Sequence, residues 1–350
     1  MKKILLSAVF SVALSIGFIN AQEAKREEFK PNGKVLGEVF GDYYYMIKGD
    51  TLENGVGGYN KKHKGDNGFS IRRFYLGYKY NFSEKFTAKL MFEGNDDNLL
   101  TNGKRSVNIK YAYVRWRNIF SGSDLIIGAQ STPTWSRFTE KIWGYRSVEK
   151  TILDYWKQGL SNDLGVSLSG NIVSDGTVRY NFMVGNGAAQ KPEFDIFKKV
   201  YGSVNARLLN KRLLLELYGD YEQQEFSEDK FTVKGFVGFQ NDKLTVGIEP
   251  FIKQQSQMVG ENIKMNGSTF MARGTIIDQK LFGFAKLDVF KNSDNTNEYL
   301  EFSVFGIDYQ PVKGVHIMPN VWVTNYNFLN NIVIENGTDV VGRVTFWFKF

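Results

Sequence analysis

A two-residue rhythm of apolar and polar side chains, broken by turns of alternating length, constrains this chain more than any other feature. Residues 35–48 set Val35, Val39, Tyr43, Tyr45 and Ile47 on one face, with Glu38, Asp42 and Lys48 on the other. Residues 69–80 oppose Phe74, Leu76, Tyr78 and Tyr80 to Arg73, Tyr75 and Lys79, and residues 85–93 oppose Phe86, Ala88, Leu90 and Phe92 to Lys85, Lys89 and Glu93. Residues 107–117 put Val107, Ile109, Tyr111 and Tyr113 opposite Asn108 and Lys110. The pattern continues over 124–130, 163–172, 177–186, 199–208, 213–222, 230–240, 244–254, 268–277, 281–291, 299–310, 315–327 and 339–350. Strict alternation of this kind reads as strand.

A half-buried strand is equally at home in a soluble sandwich, so the connections decide. Short ones fall at 81–84, 118–123, 173–176, 209–212, 241–243, 278–280 and 311–314. Between them lie long ones at 49–68, 94–106, 131–162, 187–198, 255–267 and 328–338, and moderate ones at 223–229 and 292–298. A sandwich has no reason to sort its loops by length. An even-numbered antiparallel transmembrane barrel does, with short turns on one side and longer loops on the other. The expected fold is therefore all-β, a 16-stranded antiparallel transmembrane β-barrel. Pro250 and Pro319 fall inside proposed strands, where a closed barrel offers no free edge.

Composition agrees. The chain is 15% aromatic, with 35 glycines, six prolines and no cysteine, so no disulfide supports it. Met1-Lys2-Lys3, an apolar run to Ile19 and Ala21 form a secretory signal peptide over 1–21. Residues 22–33 read as a flexible lead-in and 34–350 as the barrel. No later run approaches the roughly 18 apolar residues of a membrane helix. The formal charge of +7 is too small an excess to name a partner, and nothing points to nucleic acid.

The longest stretch without alternation, 131–162, holds Trp135, Trp143 and Trp156, five basic residues and three acidic ones. A loop of this length is commonly functional or disordered, and its aromatics argue for order. Val148, Ile152 and Leu153 suggest a short turn of helix between Ser147 and Asp154, with Trp143 and Trp156 packing on a wall. Arg146 and Lys150 then share another face. Alternatively Arg146 pairs with Glu149 or Asp154 to hold the loop's own shape.

The runs 128–133 (GAQSTP), 145–154 (YRSVEKTILD) and 161–166 (SNDLGV) resemble the porin O/P family, the phosphate-selective porins and their relatives in Bacteroidetes-type bacteria. Tyr180, residues 184–187 (VGNG), residues 306–311 (GIDYQP) and the terminal Phe350 extend the match along the mature chain. The resemblance implies a Gram-negative outer-membrane barrel, a homotrimer, insertion by the barrel-assembly machinery through Phe350, and a third outer loop folded inward as a constriction. By turn count that loop is 131–162. Glu140, Glu149 and Asp154 among its basic residues depart from the family's dense arginine and lysine set, so small anions are a safer expectation than phosphate.

A barrel of this size encloses water, and charged rings then set selectivity. The expected pore-lining residues are Arg137, Lys141, Arg146 and Lys150 in the loop, and Arg73, Lys79, Lys110, Arg179 and Arg273 on the wall. Glu38, Asp42, Glu93, Glu216, Asp220, Glu249 and Asp288 are expected on the same inner face. The two histidines, His63 and His316, have no serine and aspartate at informative spacing, so no enzyme is expected, and no metal or cofactor motif is present. A general diffusion porin, or an adhesion or binding barrel working through its loops, stands as the alternative; an outer-membrane hydrolase stands behind both.

Overall fold

The computed structural model describes residues 29–49, 63–225, 228–293, 299–330 and 333–350. The stretch read as a signal peptide, most of the expected lead-in and most of the first long loop lie outside the described residues.

Sixteen antiparallel strands close into one barrel in sequence order, with β1 (Asn32–Lys48) pairing β16 (Val333–Lys349). Between them run β2 (Asn67–Asn81), β3 (Phe86–Leu99), β4 (Arg105–Phe120), β5 (Ser123–Ser131), β6 (Asn162–Asn171), β7 (Val178–Gly185), β8 (Lys199–Leu208) and β9 (Leu213–Glu222). The circuit continues through β10 (Lys230–Gln240), β11 (Leu244–Gln255), β12 (Ile263–Ile277), β13 (Leu281–Asn292), β14 (Tyr299–Val312) and β15 (Val315–Asn330). β1 begins inside the stretch read as lead-in. Gly37 and Phe350 exchange both backbone hydrogen bonds at the seam, 3.0 and 2.9 Å.

Burial is inverted relative to a soluble protein. Leu217 and Phe305 on the outside are 64% and 53% exposed, whereas Lys234, Glu249 and Asp288 on the alternate face are 0% exposed. An apolar exterior around a charged interior suits a hydrocarbon surround and not water. Aromatic pairs stand near both ends of this exterior, Tyr43 with Phe69 at 4.9 Å and Phe86 with Trp116 at 5.3 Å.

Two bulges shift the alternation. Phe40 pairs with Arg73 but Gly41 with Ile71, which leaves Arg72 as an extra residue turned inward beside Arg73. Met91 pairs with Tyr111 but Phe92 with Ile109, so Lys110 is the extra residue of β4. That corrects the sequence reading of 107–117: Tyr111 and Tyr113 face inward, apart from Val107 and Ile109. Both prolines point outward, and their missing N–H interrupts only one ladder each. The β10–β11 register skips Gly235 opposite Pro250, and the β14–β15 register skips Ile307 opposite Pro319.

Two of the stretches read as long loops, 94–106 and 328–338, are largely strand, and a third, 255–267, is strand in its last five residues. β3 and β4 pair out to Leu99 and Arg105, β12 starts at Ile263, and β15 pairs β16 out to Asn330 and Val333.

One backbone position tests the seating of β5. Gly128 has φ +122°, and a Cβ there would lie 2.2 Å from the Ala112 carbonyl oxygen. Gly128→Ala should cost on the order of 2 kcal/mol, read as a lowered urea midpoint of tryptophan fluorescence in detergent. An unchanged midpoint would mean that β4 and β5 approach less closely than described.

Candidate functional site

Residues 132–161 join β5 to β6 and are ordered by two short helices, α1 (Thr139–Trp143) and α2 (Ile152–Tyr155). The expected helical turn is α2, shifted slightly along the chain; α1 carried no clear periodicity in the sequence. Gly144 ends α1 in the left-handed region, φ +74°, and donates its N–H to the Glu140 carbonyl at 2.9 Å. The positive φ favours glycine at this position, and a Cβ there would lie 2.6 Å from Nη1 of Arg273, so a side chain would also displace the guanidinium.

The segment packs on the inward side chains of one half of the wall. Tyr145 lies 4.4 Å from Phe284, Tyr155 4.5 Å from Phe302, and Trp156 stacks on Phe290 at 5.2 Å between centroids. Phe138 meets Phe236 edge-on at 6.0 Å. Val148, Ile152 and Leu153 are fully buried in the same cluster. Burying an aromatic or aliphatic side chain contributes about 2 kcal/mol each, so this apolar seam, spread over β10 to β16, is the principal anchor.

Wall cations add polar ties. Lys286 Nζ donates to the Lys150 carbonyl at 2.7 Å, Lys253 Nζ to the Gln158 carbonyl at 3.2 Å, and Lys234 Nζ to Thr139 Oγ1 at 3.3 Å. Arg72 donates to the Ser147 carbonyl while pairing with Asp42. Tyr145 OH donates to Asp308 at 3.3 Å, and Thr134 shares a hydrogen bond with Tyr218 at 2.9 Å. Carboxylates neighbour two of these lysines: Glu216 lies 2.7 Å from Lys234 and Asp288 2.7 Å from Lys286.

The residues expected to line the pore divide into two sets. Arg73 and Lys110 both bind Glu93, at 2.5 and 3.1 Å, and Lys110 also reaches Ser161 at 2.9 Å. Arg146 pairs with Glu140 and with Asp154, the latter at 2.5 Å. These three, expected as channel-facing charges, are neutralised by carboxylates that the bulge and the two helices bring to them. Lys150 is half-buried, its carbonyl held by Lys286 and its N–H donating to Glu149.

The other set carries charge without a carboxylate. Arg137 donates to Gln130 (3.0 Å), the Ser131 carbonyl (2.8 Å), Ser167 (3.1 Å), Ser169 (2.6 Å) and Asn181 (3.2 Å), all neutral acceptors. Burial, with Arg115 nearby, pushes its pKa down to about 10, which leaves it a cation at neutral pH. Among the described residues Lys79, Lys141, Arg179 and Arg273 make no ion pair; Lys141 and Arg179 are exposed.

Lys34, Lys79 and Lys89 stand directly opposite one another across β1, β2 and β3. Like charges so placed destabilise a sheet, and a Lys89 ammonium 4.6 Å above the Tyr111 ring offsets only part of this. Sequence reading missed Lys34, Arg72 and Lys253. Arg72 had one signal, an arginine in phase with Phe74 and Leu76, which marks a bulge. No group of His, Cys, Asp or Glu suited to a metal ion occurs among the described residues.

No protein-family profile and no curated protein matches the chain. Solved structures do. The outer membrane channel DcaP of Acinetobacter baumannii superposes with TM-score 0.67 at 12% identity, over 92% of this chain and 99% of that one. An anion-selective porin from Comamonas acidovorans gives 0.64 at 11% identity, over 92% and 100%. Salmonella typhi OmpF in complex with daunomycin gives 0.59 at 11% identity, over 91% and 97%. Likeness at these identities speaks for the fold: a closed sixteen-stranded antiparallel barrel of the kind found in outer-membrane porins.

Proposed function

We propose that the protein is an outer-membrane porin that passes small hydrophilic solutes by diffusion and prefers anions, with residues 132–161 folded inward to narrow the passage. The observation that carries this reading is the division of the interior. The segment packs on the aromatic side chains of β10 to β16, while the wall from β1 to β8 bears the lysine row and Arg179, and holds Arg137 of the segment through neutral acceptors. Cations held without carboxylates attract mobile anions, and a low-dielectric wall focuses their field. Lys141, exposed on α1, adds to the same field.

Within this reading the resemblance to the porin O/P family suggests phosphate among the solutes, a homotrimer, and barrel assembly through Phe350. Planar-bilayer recording in a potassium chloride gradient tests the core of it. The reversal potential should lie on the chloride side. A potential on the potassium side would overturn the anion preference, and a silent bilayer would overturn the channel.

A further inference from the structure

The outer wall carries a groove that channel function does not use. On the outward face of β9 to β14, Ala272 lies opposite Ala285. Val246, Ile248, Phe270, Leu287 and Phe305 stand around this floor and enclose a hollow of about 720 Å³, open to the exterior. The next outward pair, Gly274 opposite Gly283, carries the floor toward the short turn at 278–280.

Charge is distributed unevenly along the rim of short turns. The four turns beside the groove, at 209–212, 241–243, 278–280 and 313–314, hold five basic residues (Lys211, Arg212, Lys243, Lys280, Lys313) and two acidic ones, Asp242 and Asp278. The other three turns, at 82–85, 121–122 and 172–177, hold one basic residue and two acidic ones. All five basic side chains beside the groove are exposed, and none makes an ion pair among the described residues.

The dimensions connect the two features. Ala272 is five residues from the end of β12 at Ile277. With a rise of about 3.3 Å per residue and a strand tilt of about 40°, the floor lies about 13 Å from the turns. That is about one leaflet of hydrocarbon.

We propose that the groove seats an acyl chain of an anionic phospholipid from the leaflet on the short-turn side, with its phosphate drawn to Lys243 and Lys280. The chain fills a hollow that flanking Phe270, Leu287 and Phe305 keep apolar, and the rim supplies the charge that separates an anionic headgroup from a zwitterionic one. The site requires the barrel to stand in a bilayer and does not depend on which ions the channel prefers.

Native mass spectrometry after reconstitution in equal phosphatidylglycerol and phosphatidylethanolamine tests it. The wild-type barrel should retain phosphatidylglycerol over phosphatidylethanolamine by about fivefold or more, the effect of one or two surface cations on an anionic lipid. Lys243→Glu with Lys280→Glu should bring the ratio to one or below. Lys85→Glu, on the opposite side of the rim, should leave it unchanged. Ala285→Phe, which fills the floor, should lower total retained lipid with conductance preserved as the check on folding. Equal retention by the wild type, or a ratio that survives the double charge reversal, would overturn the proposal. So would a loss of oligomer with Ala285→Phe, because the groove would then be an interface between copies.

Discussion

Arg146→Gln should turn a quiet channel into a noisy one of higher conductance, by about twofold, with ion preference lost. Arg146 is the tie between the two helices of 132–161, pairing with Glu140 in α1 and Asp154 in α2. Burial opposes its charge, but the two carboxylates hold its pKa well above the ordinary arginine value. Burial likewise opposes ionisation of Asp154, yet Arg146 and Lys150 hold its pKa below the ordinary 3.8. Removing the arginine leaves two carboxylates facing each other in a poorly solvated place, at a cost of about 3 kcal/mol.

The pH dependence follows from the sign of the Asp154 shift. A depressed carboxylate stabilises the folded segment above its unfolded pKa and loses that contribution as pH falls through the folded value. The wild-type channel should therefore stay quiet from about pH 8 to about pH 5 and loosen only below the ordinary carboxylate range, whereas Arg146→Gln should be noisy throughout. Single-channel traces equal to wild type in both conductance and noise would show that the aromatic seam alone holds the segment, and that the ion pairs contribute nothing to its seating.

The barrel was legible because its signal is repeated sixteen times and needs only side-chain parity. Val178, Tyr180, Phe182 and Val184 against Arg179 and Asn181 is one such repeat, and the sorting of turns adds a second, independent count. Strand ends were less legible toward the long-loop side. β12 begins at Ile263 and β16 at Val333 because backbone pairing continues there, although the outward positions at the start of β12, Lys264 and Asn266, are polar where a membrane-facing strand is expected to be apolar. Bulges at Arg72 and Lys110 were opaque for a related reason: one extra residue exchanges the faces, and local sequence shows only an arginine or a tyrosine out of phase.

The site was legible as a segment and only partly as residues. Its length, tryptophans and the apolar trio at 148, 152 and 153 located it. Which of its charges are neutralised depends on long-range partners, Glu93 for Arg73 and Lys110, and Gln130, Ser167, Ser169 and Asn181 for Arg137. Spacing along the chain holds no information about those partners.

Arg137→Gln is expected to shift the reversal potential toward the cation side more than any other neutral substitution that leaves the segment seated. Its guanidinium is fixed by five neutral acceptors, so its position is set without its charge being cancelled. A unit charge acts on an ion about 6 Å away with about 0.7 kcal/mol at the dielectric constant of water, and about 2.8 kcal/mol at an effective value of 20. Removing it should lower the ratio of chloride to potassium permeability by at least about threefold. Conductance noise should stay at the wild-type level, because Gln retains a donor toward Ser131 and the aromatic seam is untouched; that separates lost charge from a loosened segment. Lys141→Gln, at an exposed position where the charge is hydrated, should move the ratio less. An unchanged reversal potential in Arg137→Gln would place Arg137 outside the ion path, as a structural clamp on β5, β6 and β7, and the anion preference would then rest on Lys34, Lys79, Lys89, Lys141 and Arg179.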